Sequence, residues 1–441
     1  MKRVLIIAYY YPPLADVGSR RTVRFVSHMT KYGWEPTVLT VKNADPNFCL
    51  IGDELAPIDI KVSRVLSLFN LYLVVGKLNG GLHRIGKICP LIKPNLNLQD
   101  LLYIPDPIPG WLPMAYVRGK KLVRNQNFDL IYASVKPFGG ALLALFLSKR
   151  FGIPFIVDVR DPLSIKTLKG RAPLSFKDRF ICKYERKIVE HCKKFILTAS
   201  TTEIAYKREY PEFRHKFNTV HNGFDKTKDL AVDFCLSEKL ALRNEGNSWH
   251  YSNFIIIYLG NFYAGTLDPV PFFQAIKSLF DEDIKFRENI LFAYLGENTK
   301  WLVDISSRFN LQKNIKYLGR KSRDQMMAYV RVSDLFFIRN PYPTNIGAKL
   351  FDGLAVNIPI LSTYTHPEVE QLIKEYALEH SILYGEDVEE IKSALRFHFC
   401  NRKPSLRTFN TKFINDFSPE KLTKQLCSIF DDSISANSRS T

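Results

Sequence analysis

A rhythm constrains this chain more than any other feature. Short apolar runs alternate with amphipathic stretches, and the series occurs twice. The runs RVLIIAYY, PTVLTV, FDLIYASV, IPFIVDV, KFILTAS and FNTVH make the first series; the second opens at FIIIYLGN (254–261) and continues through ILFAYLG, NIKYLG, DLFFIRN and IPILS. Apolar runs separated by helical patterns are the mark of a parallel sheet with crossover helices. A chain of 441 residues is too long for one ordinary core. The expected fold class is therefore α/β, with two Rossmann-like doubly wound domains facing a cleft.

The first domain is expected at 1–224, with an irregular stretch inserted at about 43–109 where prolines and glycines break the period. A polar linker at 225–252 contains LRNEGNSWHYSN, the second domain follows at 253–432, and SISANSRST closes the chain as a polar tail. The last helix before that tail is a candidate to pack back on the first domain.

Open parallel sheets hold ligands at the carboxyl ends of their strands, so chemistry is expected in the residues that follow each strand. After the first strand, YYPPLADVGSRRTVRF places Gly18 before a helix carrying Arg21 and Arg24, where free amides and the helix dipole favour an anion. A plain strand-to-helix turn with solvated arginines reads equally well. FIVDVRDP ends a buried strand with Asp158, Arg160 and Asp161. Alternation sends Asp158 and Arg160 to one side and leaves Asp161 to begin the loop, where it is the better placed to meet a substrate. An internal Arg–Asp pair fixing the loop is the other reading, above all for Asp158. In YLGNFYAG, Gly260 and Gly265 let backbone approach a bound group, with Asn261 and Tyr263 between them.

The stretch GAKLFDGLAVNIPIL predicts a helix over 346–356 followed by a buried strand over 358–361. Gly347 leaves room above the first amides, Lys349 adds a mobile cation suited to phosphate, and Asp352 can accept hydrogen bonds from vicinal hydroxyls. An exposed Lys349–Asp352 pair of little energetic weight is the bland alternative.

These residues together resemble the glycosyltransferases of the GT-B fold, specifically the GT4 group that contains bacterial polysaccharide-assembly enzymes. The resemblance runs nearly end to end and rests on LIIAYYYPPLADVGSRRTVRFVSHMTKYGWEPTVLT, VDVRDP, HNGFD (221–225), YLGNFYAG and GAKLFDGLAVNIPIL. It implies an acceptor-side first domain and a nucleotide-sugar-binding second domain. It places Asp352 where the family has a ribose-binding glutamate, and Thr344 where many members have a second glutamate that touches the sugar. By the same resemblance Gly18 and Arg21 approach the donor phosphates, Gly347 and Lys349 hold them, Asn261 and Tyr263 line the donor side, and Arg160 and Asp161 face the reacting centre. Retention of anomeric configuration is also implied.

The chemistry fits that outline without a metal, because helix amides and Lys349 stabilise a departing diphosphate while Asp161 orients the acceptor hydroxyl or accepts its proton. No cofactor and no metal are expected. The triplet DED at 281–283 follows an amphipathic helix and reads as a solvated helix end.

A net charge of +18 predicts an anionic partner. Residues 166–194 carry ten Lys or Arg against Asp178, Glu185 and Glu190, interspersed with Phe176, Phe180, Ile181 and Ile188. This pattern suits a helix on an anionic membrane surface, or equally a solvated basic face with its apolar side in the core. The expected partners are a nucleotide-sugar donor, a glycan or polyprenyl-diphosphate-linked acceptor, and that membrane surface. Nucleic acid is not expected, since no basic helix with reading geometry and no stacking motif occurs.

Seven cysteines without a C-x-x-C pair read as reduced and cytoplasmic, peripheral on the inner face of the cytoplasmic membrane if lipid-linked acceptors are used. The apolar N-terminus, halted by Pro12 and Pro13, reads as a first strand. Two other functions stay open: a nucleotide-sugar epimerase of the same fold, and a degenerate glycosyltransferase-like binding protein.

Overall fold

The computed structural model describes residues 1–14, 17–42, 57, 59–68, 106, 108–164, 176–224, 253–263, 265, 267–297, 299–340, 346–403 and 406–435. The expected linker 225–252, most of the 43–109 stretch, the basic residues 166–175, Thr344 and the end of the tail lie outside them. The chain forms two compact units, Met1–His221 with Pro419–Thr441, and Asn222–Ser418.

Unit 1 begins with β1 (Lys2–Ile7), α1 (Val17–Met29), β2 (Trp34–Val41), β3 (Lys61–Val65), α2 (Trp111–Asn125) and β4 (Leu130–Val135). It continues with α3 (Gly139–Phe151), β5 (Phe155–Val159), α4 (Phe176–His191), β6 (Lys194–Leu197), α5 (Ser200–Glu209) and β7 (Phe217–Thr219). Its strands are all parallel, in the order β3-β2-β1-β4-β5-β6-β7.

The period of two along each strand decides what each face covers. Leu5, Ile7, Ile131, Ala133, Val157 and Val159 face one core with α2, α3 and α4. Val4, Ile6, Val38, Leu130, Tyr132 and Ile156 face the other, under Phe25, Val26 and Met29 of α1.

Unit 2 repeats the plan with β8 (Phe254–Leu259), α6 (Val270–Glu282), α7 (Ile284–Asn289), β9 (Ile290–Leu295), α8 (Thr299–Arg308), β10 (Ile315–Tyr317), α9 (Arg323–Val332) and β11 (Leu335–Arg339). Then come α10 (Ala348–Leu354), β12 (Ile360–Thr363), α11 (Pro367–Tyr376), β13 (His380–Ile382), α12 (Val388–Cys400) and α13 (Thr411–Asp416). The strand order β10-β9-β8-β11-β12-β13 is again all parallel. Its core is strongly aromatic, with Tyr258 stacked on Phe262 at 4.0 Å between centroids and Phe272 on Phe337 at 4.0 Å.

The final helix, α14 (Pro419–Ser435), returns to unit 1. Leu422, Leu426, Cys427, Ile429 and Phe430 complete the core beneath α1. Asp431 takes a hydrogen bond from the Trp34 indole at 3.1 Å and an ion pair from Lys2 at 2.7 Å, and Phe430 meets Trp34 edge to face.

Both sheets carry the doubly wound order, so each reverses its direction of winding once, between β1 and β4 in unit 1 and between β8 and β11 in unit 2. The crevice beyond the carboxyl ends of such a pair is where open α/β sheets hold ligands. Two strands were not expected from the sequence: β3, inside the stretch taken as irregular, and β13.

Candidate functional site

In unit 1 the carboxyl edge is organised by β5 and the loop that leaves it. Asp158 points into the core and is fully buried. Its partner in the internal Arg–Asp pair is Arg21 of α1, not Arg160. Arg21 donates from Nε to Asp158 Oδ2 at 2.7 Å and from Nη2 to Oδ1 at 3.1 Å. The same guanidinium donates to the carbonyls of Val220 at 2.9 Å and His221 at 2.8 Å, where the chain leaves unit 1.

The Tyr132 hydroxyl also donates to Asp158. Burial, and then the Asp158 carboxylate, pushes that phenol well above its ordinary range, which keeps it a donor. Arg21 is thus enclosed as a strut between α1, β5 and the end of β7, and its guanidinium is not presented at the surface.

Arg160 follows Asp158 on the same side, and its guanidinium lies directly on Gly18, so a Cβ at Gly18 would collide with it. Glycine lets the guanidinium lie this close; a side chain there would oblige the Arg160 head to shift. Asp161, in the loop as expected, forms an ion pair with Lys136 at the end of β4. Lys136 has φ 125, a conformation that residues with a side chain rarely adopt and that concentrates at functional sites.

The loop 160–164 is held at several points. Thr198 Oγ1 donates to the Arg160 carbonyl at 3.1 Å, and Leu163 N donates to the Tyr206 hydroxyl at 3.2 Å. Ser164 donates to the buried Glu185 of α4 from both its amide and its hydroxyl, and Tyr206 and Tyr210 donate to the same carboxylate at 3.1 and 2.9 Å. Glu185, which the sequence reading counted among the acids of a basic face, is therefore an internal node, and burial raises its carboxyl above the usual range. Along α4, Ile188 and Val189 enter the core while Phe176 stays exposed.

Unit 2 gathers its polar groups where β8 and β11 diverge. Gly260, just past β8, has φ 96, and a Cβ there would collide with Lys349 Nζ. Lys349 reaches back over the end of the strand and lies 5.8 Å from the centroid of the Tyr258 ring. Burial lowers its ammonium from the ordinary 10.5 to about 8, against the opposing pull of Asp352. This is a cation held ready at the place where the topology puts ligands.

A Gly260→Ala chain is expected to lose about 1–3 kcal/mol of stability from backbone strain. Urea unfolding followed through unit 2 measures it, and a loss under a few tenths would mean that the backbone at 260 relaxes to an ordinary angle while the Lys349 side chain moves aside.

Asn261 Oδ1 accepts from Glu297 N at 2.6 Å, tying the β8 and β9 loops. Tyr263 and Leu267 exchange backbone hydrogen bonds at 3.0 and 2.9 Å around Gly265, leaving the Tyr263 side chain half exposed. The helix expected over 346–356 is shorter: α10 spans Ala348–Leu354, with Gly347 as its N-cap. Space above Gly347 is open, with nothing within 4 Å of a Cβ built there. The strand placed at 358–361 is β12, Ile360–Thr363, because the Pro359 carbonyl only opens the ladder by accepting from Phe336 N.

Asp352 and Lys349 do not make an exposed pair. Asp352 is turned inward to Arg323, Oδ1 to Nη2 at 2.8 Å, and that guanidinium lies 5.0 Å from the centroid of the Phe224 ring.

Sequence reasoning missed Lys136 and Arg323. Arg323 had a signal, since Ser322 and Gln325 form a capping box that fixes Arg323 as the first residue of α9. Lys136 had only its place at the end of an apolar run. The DED triplet is consumed locally: Asp281 pairs with Lys277, Glu282 with Lys392 at 3.0 Å, and Asp283 caps α7 by accepting from Lys285 N at 2.8 Å.

No protein-family model matches the chain, and no curated protein matches it by sequence. Solved structures do match. Sucrose-phosphate synthase from Thermosynechococcus elongatus is similar with a TM-score of 0.62 at 12% identity, over 100% of this chain and 98% of that one. HepE of Anabaena, in complex with UDP and glucose, gives 0.62 at 12% identity over 98% of this chain and 100% of that one. WaaG, a glycosyltransferase involved in lipopolysaccharide biosynthesis, gives 0.58 at 11% identity over 97% and 95%. At such identities the likeness is one of fold: two Rossmann-like parallel α/β units, the GT-B class.

Proposed function

We propose that the chain is a glycosyltransferase of the GT4 kind, moving a sugar from a nucleotide-sugar donor to a glycan or polyprenyl-diphosphate-linked acceptor. The setting is cell-surface polysaccharide synthesis, O-antigen, capsule or exopolysaccharide, in the cytoplasm at the inner membrane face. Transfer is retaining and metal-independent. The observation that carries this reading is the partly buried Lys349 ammonium against Gly260 at the divergence of β8 and β11, with Asp352 held by Arg323 one turn further along α10.

In this reading Lys349, beside the open Gly347, neutralises charge on the departing diphosphate. Asp352 accepts from the ribose hydroxyls while Arg323 fixes its rotamer, and Asn261 and Tyr263 line the donor pocket. Arg160 and Asp161 face the reacting centre. Asp161, steadied by Lys136, takes the proton as the acceptor oxygen bonds to the anomeric carbon and the bond to the diphosphate breaks. Gly18 makes room for Arg160, and Arg21 serves from within by holding Asp158. The fold is shared with HepE, whose structure holds UDP and glucose, which favours a uridine donor among the nucleotide sugars.

The test is thermal unfolding with UDP-, GDP-, ADP- and dTDP-sugars, with and without EDTA. A donor at 100 times its dissociation constant adds about 2.7 kcal/mol. A shift with one nucleotide that survives EDTA is expected; a response to none of them would overturn the reading in favour of a binding protein without donor chemistry. Asp352→Asn is expected to weaken that donor about tenfold or more, through loss of a charged acceptor. Unchanged donor affinity in this variant would remove the ribose assignment.

A further inference from the structure

The outer face of unit 1 formed by α2 and α3 has a composition that a freely solvated surface avoids. α3 is apolar almost throughout and buries most of its length, yet Phe146 turns outward and is 38% exposed. On α2 the exposed positions Pro113, Val117, Lys121 and Arg124 recur at helical spacing, the first two apolar and the last two basic. Val117 is 59% exposed.

Between the helices lies an open groove of about 600 Å3 lined by Leu112, Pro113, Tyr116, Phe146, Lys149 and Arg150. Neither helix carries an acidic residue, while α2 alone holds Arg118, Lys120, Lys121 and Arg124. Among the described residues, none of Lys121, Arg124, Lys149 and Arg150 is paired with a carboxylate. Well-solvated surfaces intersperse both signs and keep aliphatic side chains apart. Apolar groups ringed by cations of one sign suit the boundary between headgroups and acyl chains of an anionic bilayer.

We propose that the α2–α3 face docks the protein on an anionic phospholipid bilayer, with the groove receiving acyl chain between headgroups and the basic rim holding lipid phosphates. The inference rests on the membrane setting proposed above and not on the transfer chemistry. A soluble polyanion would use the rim but gain nothing from the groove.

The test is flotation of the full chain with vesicles of phosphatidylcholine alone and vesicles in which a third of the lipid is phosphatidylglycerol. Binding to the anionic vesicles and little to the neutral ones is expected. Lys149→Glu with Arg150→Glu, the two cations that line the groove, should weaken it by about tenfold or more. Pro113→Asp with Phe146→Asp should do the same, and Pro113→Ser with Phe146→Ser stands in if the aspartates disturb folding.

Thermal shifts with the donor should be unchanged in all of these variants, so failure here leaves the donor reading untouched. Wild-type protein that ignores anionic vesicles would overturn the proposal. So would full binding by the groove variants, which marks a surface that takes polyanions by charge alone.

Discussion

An Asp158→Ala chain is expected to lose about 3–5 kcal/mol of stability, because it leaves the Arg21 guanidinium buried without its counter-charge. The side chains of Arg21 and Asp158 are 2% and 0% exposed, so water cannot take the place of the missing carboxylate. The Tyr132 hydroxyl loses its acceptor in the same step. Urea unfolding followed through Trp34 and Trp111, both buried in unit 1, reads the change. A double replacement, Asp158→Leu with Arg21→Met, should recover most of the loss, since a buried pair exchanged for apolar groups of similar volume is often close to neutral. A single-variant loss below about 1 kcal/mol would show that the pair is solvated in solution and that Arg21 is free for another partner.

If the chain transfers sugar as proposed, Lys349→Met should slow that transfer by about 100- to 1,000-fold, the range seen when one preorganised group is removed from developing negative charge. Stability should not fall with it, because methionine removes the cost of a charge held against the end of β8. The direction with pH follows from the lowered ammonium. The folded chain releases this proton near pH 8 and the unfolded chain near 10.5, so the protonated form weighs against folding at neutral pH and this cost fades as pH rises from 8 to 10.5.

On the proposed reading, donor capture needs that same protonated form. The value of kcat/KM should be level below pH 8 and fall above it, and Lys349→Met should abolish that limb. A variant that keeps the alkaline limb would assign it to another group. A variant that keeps full rate would remove Lys349 from the chemistry.

Which parts of this were legible in the sequence depends on how local their causes are. The central strands declared themselves, since a strand buried on both faces must be apolar at nearly every position, as FIIIYL and ILFAYL are. The edges did not. β3 reads KVSRV and β13 reads HSI, half-solvated strands whose pairing is decided by their neighbours rather than by their own composition.

The site followed the same division. Gly18, Arg160, Asp161 and Lys349 lie close to the strand ends where the reading placed them, because their positions follow from the winding order. The pairings were invisible: Arg21 with Asp158 spans 137 positions in the sequence, and Arg323 meets Asp352 across the interior of unit 2. Nothing in periodicity specifies which buried arginine meets which carboxylate. Glu185 shows the same limit, since three hydroxyls and an amide from separate segments turned an apparently solvated acid into a core group.

The return of α14 to unit 1 bears on how the chain is made. Residues Asn222–Ser418 are contiguous and can complete their unit as they leave the ribosome, whereas unit 1 waits for a helix that is made only after the whole of unit 2. Until that helix emerges, the face of its sheet that includes Tyr132, and Trp34 beside it, lacks the cover of Leu426 and Phe430. The earlier-translated half is therefore the later to finish. A truncation before Pro419 would send out a protein whose second unit is whole and whose first exposes an apolar surface to chaperones and proteases.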